Sequence, residues 1–209
     1  QALMELLPWF VAAYLLGAIP TSYLVVRLVQ GRDLRTMGSG NLGATNLYRV
    51  LGWKYALPVG AFDLAKGLVP VSLFGPRAGG GELVPLLLGI AAVTGHVFSV
   101  FVGFRGGKGV ATGAGVVLGL APWAFLVALV IWVIVVAATG YVSLGSIIAA
   151  LVLPPAVWWL HPERRALVWL FALLAAIVIG LHRANLGRLI AGTEHRFRRR
   201  AQTPDQPSP

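Results

Sequence analysis

Long apolar runs, separated by short polar or glycine-rich segments, make up most of this chain. The first run, Leu6–Val29, contains one charged residue, Arg27, and is long enough to cross a hydrocarbon core of about 30 Å. Only 11% of the 209 residues are charged, whereas soluble domains average about 25%. These runs predict an all-α integral membrane protein that folds as one bundle of helices.

The formal net charge of +10 would suggest nucleic acid as the partner of a soluble protein. In membrane proteins, Lys and Arg collect on cytoplasmic loops, where they also meet anionic lipid. We therefore expect the lipid bilayer as partner and no nucleic acid. The absence of cysteine excludes a thiol nucleophile and a thiolate metal site. The length favours one membrane domain, residues 1–195, followed by a basic tail, residues 196–209, that we expect to be disordered.

The other apolar runs predict the remaining helices. Val110–Ala138 is too long for one upright span, and it changes from Gly- and Ala-rich to bulky at Pro122. This change predicts a short helix, a tight turn and a full span back. Pro20 should kink the first span, because it removes a backbone donor, and Gly75–Glu82 is typical of a turn. The spans predicted after the first are Leu51–Phe74, Leu83–Val102, Val110–Ala121, Trp123–Ala138, Leu144–Leu160 and Ala166–Leu181.

The distribution of basic residues indicates how many spans there are. With seven transmembrane helices, the N-terminus outside and the C-terminus cytoplasmic, only Arg77, Arg164 and Arg165 fall on outer loops. With six, the basic tail would move to the side opposite the first polar loop, against the positive-inside rule. We therefore predict seven spans, which place nearly every polar cluster at the cytoplasmic face.

Two ionisable residues, Asp63 and Lys66, lie inside the second predicted span. They are three residues apart and thus neighbours on one helical face. Ionisable groups within a span usually face a partner or a cavity. A mutual ion pair that holds the bundle together is favoured over a direct role in chemistry.

A small polar block, GSGNLGATNLYR at 38–49, stands between two apolar runs. Glycine lets the backbone approach a ligand closely, successive N–H groups form an anion-binding concavity, and Arg49 adds a permanent positive charge. The spacing of Gly38, Gly40 and Gly43 also matches a dinucleotide fingerprint, which we discount because no strand precedes it. The block predicts a phosphate site at a membrane face.

A second glycine-rich loop, FRGGKG at 104–109, leads directly into the helix predicted to begin near Val110. N–H groups at the start of a helix suit an anion, and Lys108 adds a point charge. Close helix packing in the membrane would explain nearby glycines, but it explains Lys108 poorly.

Metal ligands and dedicated catalytic bases are scarce. The four histidines are scattered and no HExxH motif is present, so we expect no metal and no cofactor. His96 and His182, at helix ends on the predicted active face, are the candidate histidines. A Ser-His-Asp triad is not favoured, since Asp33 is the only acidic residue close in sequence to the first block. This composition favours a substrate that carries its own leaving group, with catalysis by positioning and charge stabilisation.

Three blocks carry a family resemblance: GSGNLGATNLYR at 38–49, GHVFSVFVGFRGGKGVATG at 95–113 and HRANLGRLIAGTEHR at 182–196. GAIPTSYL at 17–24 and FDLAKGLVPV at 62–71 support them. In this order they resemble the bacterial acyl-phosphate-dependent glycerol-3-phosphate acyltransferases, the PlsY family. Ser99 departs from the family pattern, which usually has proline after GHxF, and we expect a small change in helix geometry there.

The resemblance implies transfer of a fatty acyl group from acyl phosphate to the 1-hydroxyl of glycerol 3-phosphate, the first step of phospholipid synthesis. The products would be lysophosphatidic acid and phosphate, with no metal and no acyl-CoA or acyl carrier protein as direct donor. It also implies a multi-pass protein of the bacterial cytoplasmic (inner) membrane with its active site facing the cytoplasm.

Residue roles follow from the same resemblance. Ser39, Arg49 and Lys108 would hold phosphate, His182 and Asn185 would position glycerol 3-phosphate, and these five are the predicted catalytic residues. The predicted substrate-binding residues are Gly40, Asn41, Thr45, Asn46, Gly107 through its backbone, and Ser143, which would contact the donor phosphate. For Arg188 and Glu194, in the third block, a structural tie is an equally good interpretation.

Two questions stay open at this point. The proton of the glycerol hydroxyl could pass to a substrate phosphate or to His182. The alternative function is a transporter or exchanger of a phosphorylated small molecule. The lack of an internal repeat and the position of all polar blocks on one face argue against transport.

Overall fold

The computed structural model describes residues 2–81 and 83–197, and every regular element within them is helical. This confirms the all-α prediction for the described part of the chain. Two 3₁₀ turns, Leu34–Thr36 and Val100–Val102, and a π-helical segment, Pro70–Phe74, accompany the α-helices. The α-helices are α1 (Ala2–Ala18), α2 (Thr21–Gln30), α3 (Ala44–Leu51), α4 (Trp53–Val69), α5 (Gly75–Ala78), α6 (Leu83–Val97), α7 (Val110–Leu120), α8 (Pro122–Thr139), α9 (Val142–Leu160), α10 (Arg165–Leu181) and α11 (Arg183–Ile190).

The helices suit a multi-pass membrane protein. In the described residues, four helical segments are long and apolar enough to cross a membrane, or up to six if the bent pairs α1–α2 and α10–α11 each count as one span. The shorter apolar helix α7 has 11 residues and is about 16 Å long. It ends where α8 turns back, as the composition change at Pro122 predicts. Arg164 Nη1, from the α9–α10 loop, donates to the Leu120 carbonyl at 2.7 Å, so the end of α7 lies beside that loop.

Three boundaries differ from the predictions. At Pro20 the helix breaks completely and α2 leaves α1 at 41°, so the predicted kink is a break. The turn predicted over Gly75–Glu82 is wrong for its first four residues, because Gly75 has helical angles and Pro76 lies in the first turn of α5, where no N–H is needed. The predicted span Leu83–Val102 is long and apolar enough to cross a membrane, but its α-helix ends at Val97, and a 3₁₀ turn, Val100–Val102, follows the extended Ser99 (φ −68°, ψ 120°).

Glycines let the central helices approach closely. An added Cβ at Gly17 or Gly95 would lie 2.0 or 2.1 Å from a backbone oxygen across the α1–α6 contact. At Gly67 or Gly115 it would lie 1.9 Å from one across the α4–α7 contact. Small residues at helix contacts are the usual means of close packing in membranes.

Asp63 and Lys66 form the predicted ion pair, and both are buried. Lys66 Nζ lies 2.7 Å from Asp63 Oδ1 and donates to the Ile19 carbonyl at 2.9 Å. Thr21 Oγ1 donates to the same carboxylate at 3.2 Å. The pair therefore joins α4 to the backbone that the break between α1 and α2 leaves without helical partners.

Candidate active site

A cavity of about 430 Å³ joins the predicted polar blocks to the apolar helices behind them. Its polar wall comprises Ser39, Asn41, Thr45, Asn46, Arg49, Lys108, Ser143, His182, Asn185 and Glu194. Its apolar wall includes Val117, Phe125, Leu129, Trp132, Leu153 and Leu174. Leu153 lies about 15 Å along α9 from Ser143, at 1.5 Å per residue. The cavity thus extends from charged helix ends into the apolar bundle.

Asn46 shapes the first glycine-rich loop. Its amide nitrogen donates to the carbonyls of Met37 and Asn41, both at 3.0 Å, and its Oδ1 accepts the Ser39 N–H at 2.8 Å. Gly38 has φ +56°, and a Cβ there would lie 2.3 Å from Asn46 Oδ1. Because both amide hydrogens of Asn46 are used, this residue orders the loop, while Ser39 stays exposed at the cavity wall.

Arg49 and Lys108 bring positive charge to the polar wall. Burial lowers the pKa of the Arg49 guanidinium, and Glu194 acts in the opposite direction. Burial lowers the pKa of the Lys108 ammonium to about 8; Glu194 raises it, and Arg188 and Arg49 lower it. Lys108 is therefore mostly charged at neutral pH, and a bound phosphate would favour its charged form further.

The N–H of Gly107, whose backbone was predicted to assist phosphate binding, is hydrogen-bonded to α6. Its N–H donates to the His96 carbonyl at 3.1 Å, and the Gly106 N–H donates to the Val97 carbonyl at 2.9 Å. Gly107 is also buried and does not line the cavity. Because its N–H is already used by α6, this donor is not free for a phosphate, and the predicted role of the Gly107 backbone gains no support here. The loop instead packs on the end of α6 and presents Lys108.

Glu194 organises one side of the polar wall. Its Oε1 accepts hydrogen bonds from Ser143 Oγ at 2.9 Å and Asn185 Nδ2 at 2.7 Å, and its Oε2 accepts one from Arg188 Nε at 2.7 Å. Burial raises the pKa of this carboxyl, but these hydrogen bonds outweigh burial and leave it lowered. Asn185 Oδ1 in turn accepts a hydrogen bond from Lys108 Nζ. Glu194 therefore orients Asn185 toward Lys108.

His182, buried where α10 meets α11, is held in one tautomer. Its Nδ1 lies 2.7 Å from the Val178 carbonyl, and a carbonyl can only accept, so Nδ1 carries the proton. In the neutral ring, Nε2 is then the unprotonated nitrogen. Since His182 lines the cavity, it can accept a hydrogen bond from a ligand hydroxyl.

All predicted site residues except Gly40 and Gly107 line this one cavity. Gly40 has φ +72° and donates its N–H to the Met37 carbonyl at 2.9 Å, so it serves the loop turn. His96, the second candidate histidine, also lines the cavity, as do Asp63 and Glu194, which were not predicted as site residues. The available signals were an acid inside a span for Asp63 and a place in the third block for Glu194.

The segment after α11 folds back against the polar wall. The Phe197 N–H donates to the Gly140 carbonyl at 2.6 Å, and its ring stacks on Tyr48 with centroids 4.5 Å apart. The Arg196 guanidinium lies over the Tyr141 ring, 5.2 Å from its centroid. These two residues, which were assigned to the tail, belong to the folded part. Residues 198–209, for which we expect disorder, lie outside the described residues.

Comparison with known proteins gives consistent results across sequence and structure. A family model described as glycerol-3-phosphate acyltransferase matches residues 7–192. A glycerol-3-phosphate acyltransferase of Trichlorobacter lovleyi is 49% identical over 190 residues, which cover 91% of this chain and 96% of the relative. One of Chlorobaculum parvum is 40% identical over 216 residues, covering 88% and 93%.

Two crystal structures of PlsY, an integral membrane glycerol 3-phosphate acyltransferase, are also similar. The glycerol 3-phosphate form superposes with a TM-score of 0.86 at 38% identity, covering 92% of this chain and 96% of the other. The lysophosphatidic acid form gives 0.81 at 36% identity, covering 91% and 94%. The likeness therefore extends over nearly the whole chain in both sequence and fold.

Proposed function

This chain belongs to the glycerol-3-phosphate acyltransferase family, and we propose that it transfers a fatty acyl group from acyl phosphate to the 1-hydroxyl of glycerol 3-phosphate. The hydroxyl oxygen attacks the acyl carbonyl carbon, the bond from that carbon to the phosphate oxygen breaks, and inorganic phosphate leaves. The hydroxyl proton leaves with a phosphate or through His182. The other product is lysophosphatidic acid.

The observation that carries this proposal is the continuity of the cavity from a cationic end to an apolar end. Arg49 and Lys108 line that end with two positive charges, and the negative charge of Glu194 is paired with Arg188, which is outside the lining. The excess of cations suits two phosphate-bearing substrates. The apolar wall along α7–α10 suits a hydrocarbon chain that enters from the bilayer.

Within the polar wall, the roles divide by chemistry. Arg49 offers a planar fork of donors for a phosphate, and Lys108 offers a compact charge next to Asn185. The exposed hydroxyl of Ser39 serves as a phosphate ligand, because within residues 2–81 and 83–197 no base is bonded to it that would make it a nucleophile. His182 Nε2 accepts the hydrogen bond of the attacking hydroxyl, and Ser143, fixed by Glu194, meets the donor phosphate.

Phosphate release by purified protein tests the reaction. In detergent, release should require both palmitoyl phosphate and glycerol 3-phosphate, with lysophosphatidic acid formed in equal amount. Palmitoyl-CoA in place of palmitoyl phosphate should yield no product. Phosphate release without glycerol 3-phosphate would indicate a hydrolase, and no release from the pair would favour transport. Product formation from palmitoyl-CoA alone as donor would overturn the donor assignment.

We also propose the topology of seven spans, with the N-terminus outside and the site at the cytoplasmic face of the inner membrane. The contact of Arg164 with the Leu120 carbonyl supports a full crossing by α7, although α7 is short. If α7 crosses, an odd number of spans separates residue 32 from residue 163. If it does not, the number is even and both residues lie on one side.

Single introduced cysteines test whether the number of spans between these residues is odd or even. The chain has no cysteine of its own, so all labelling comes from the introduced residue. Arg32 and Glu163 are both exposed, so Arg32→Cys and Glu163→Cys should leave the fold intact. In bacterial cells, a membrane-impermeant maleimide should label Glu163→Cys directly and Arg32→Cys only after the inner membrane is permeabilised. Equal labelling of both variants before permeabilisation would exclude the seven-span arrangement.

A further inference from the structure

His96 borders the same cavity as His182 but belongs to a different cluster. It lies near the end of α6, is buried, and its Nδ1 is 3.3 Å from Lys66 Nζ. Its carbonyl accepts the Gly107 N–H. Its Nε2 faces the same glycine, since a Cβ at Gly107 would lie 2.3 Å from that nitrogen. His96 thus contacts the loop that carries Lys108 through both its backbone and its ring.

Three acceptors surround the Lys66 ammonium. They are Asp63 Oδ1 at 2.7 Å, the Ile19 carbonyl at 2.9 Å and His96 Nδ1 at 3.3 Å. An ammonium has three donors and no acceptor, so it fills this arrangement completely when His96 Nδ1 is unprotonated. A neutral amine could accept from a protonated Nδ1, but it would then sit uncharged beside a buried carboxylate, which loses the ion pair.

We propose that Asp63 and Lys66 are positioning residues that hold His96 as a neutral imidazole protonated at Nε2. An N–H donor then faces the Gly106–Lys108 loop and the anion-binding cavity. In the opposite tautomer, the lone pair on Nε2 would face this site and repel phosphate. The proton on Nδ1 would also break the hydrogen bond between the ring and Lys66. The buried ion pair, 2% exposed on Lys66, thereby acts on substrate binding through His96. This inference rests on the proposed function only for the identity of the bound phosphate.

Nitrogen NMR of the ¹⁵N-histidine-labelled protein reads the tautomer directly. At pH 7 we expect His96 to show a protonated Nε2 and an unprotonated Nδ1, with His182 in the opposite state. Comparison with His96→Gln protein assigns the signals. A protonated Nδ1 on His96, with either an Nδ1–H tautomer or an imidazolium, would overturn the proposal. This measurement uses the wild-type protein and needs no activity.

The kinetic constants of two matched His96 variants test whether the Nε2 donor contributes to substrate binding. His96→Leu removes the donor and should raise KM for glycerol 3-phosphate about tenfold with kcat within threefold, whereas His96→Gln keeps a donor near the Nε2 position and should stay within threefold. The variant Asp63→Leu/Lys66→Met removes both buried charges together, so no unpaired charge remains. It should raise KM in the same way and redistribute the His96 tautomers.

Controls separate this proposal from general damage and from the proposed function. His161→Gln, in the α9–α10 loop, should leave KM unchanged. A KM within twofold of wild type for His96→Leu would contradict the inference. If the wild-type protein transfers no acyl group, the proposed function fails, while the His96 signals and their shift on addition of inorganic phosphate still decide the tautomer and its contact with the site.

Discussion

His182 and His96 border one cavity, yet the protein holds them in opposite ways. His182 donates from Nδ1 to the Val178 carbonyl and is left with an unprotonated Nε2. His96 Nδ1 faces the Lys66 ammonium. Because an ammonium can only donate, Nδ1 is then unprotonated and the neutral ring carries its proton on Nε2. The same type of side chain is thus an acceptor at His182 on one side of the site and, by our inference, a donor at His96 on the other. The difference comes from the neighbour of Nδ1, a carbonyl in one case and an ammonium in the other.

The surroundings of the two histidines differ in charge as well. The His182 side, defined by Arg49, Lys108, His182, Arg188 and Glu194, has more cations than anions and can bind phosphate. The His96 side, defined by Asp63, Lys66 and His96, contains a balanced ion pair whose donors are all used. By our proposal, the charge that remains available on the His182 side binds substrate, whereas the charge that is neutralised on the His96 side positions other groups. Substitutions on the two sides should therefore differ in size and in the kinetic constant that they change.

The largest effect should come from Arg49→Ala on the His182 side. Loss of a forked cation that faces a phosphate should lower kcat/KM by about a thousandfold in the acyl-transfer assay. Arg49→Lys keeps the charge but lacks the forked donors, so its kcat/KM should lie between those of the wild type and Arg49→Ala. Arg183→Ala, a matched change at an exposed arginine of α11, should remain near wild type. An Arg49→Ala protein that folds and keeps full activity would refute this assignment.

A smaller loss, about a hundredfold in kcat, is expected for His182→Gln, which keeps a polar group near Nε2 but cannot take up a proton. This size fits a residue that positions the hydroxyl while a substrate phosphate accepts the proton. A loss above roughly four orders of magnitude exceeds what positioning explains and would assign the base to His182. His96→Gln is the matched variant on the other side, and its kcat should stay within threefold.

The pH dependence of substrate binding comes next in size. Burial lowers the pKa of Lys108 to about 8, so its charge is present below that pH and is lost as the pH rises through it. KM for glycerol 3-phosphate should therefore rise about tenfold from pH 7 to pH 9. Lys108→Arg, which stays charged over this range, should abolish the rise. An unchanged KM in the wild-type protein from pH 7 to 9 would contradict the combination of a Lys108 pKa near 8 with a phosphate held by its charge.

Much of this architecture could be predicted because local chemistry decides it. Apolar length and the composition change at Pro122 predict the helices and the break after α7. The three blocks were expected on one face, and the structure brings their side chains to one cavity. Even the Asp63–Lys66 pair follows from helical spacing, since residues three apart share a face.

The remaining features depend on distances between segments far apart in sequence. Glu194 receives hydrogen bonds from Ser143, 51 positions away, as well as from Asn185, and spacing alone does not indicate this. The N–H of Gly107 was expected to be free, but it is used by the end of α6. The tautomers of the two histidines are set by tertiary neighbours, and a sequence pattern shows only that the histidines are present.

The smallest effect should come from Ser99→Pro, two residues beyond the C-terminal end of α6 and on the His96 side. Ser99 donates its hydroxyl hydrogen to the Ala18 carbonyl and has φ −68°, close to the angle that proline imposes. The change removes one buried hydrogen bond, worth about 1 kcal/mol, and restricts the unfolded chain, which opposes the loss. We expect kcat and KM within about twofold of wild type and a change of a few degrees in Tm. A KM increase as large as that of His96→Leu would show that the end of α6, and not the His96 ring, controls the Lys108 loop.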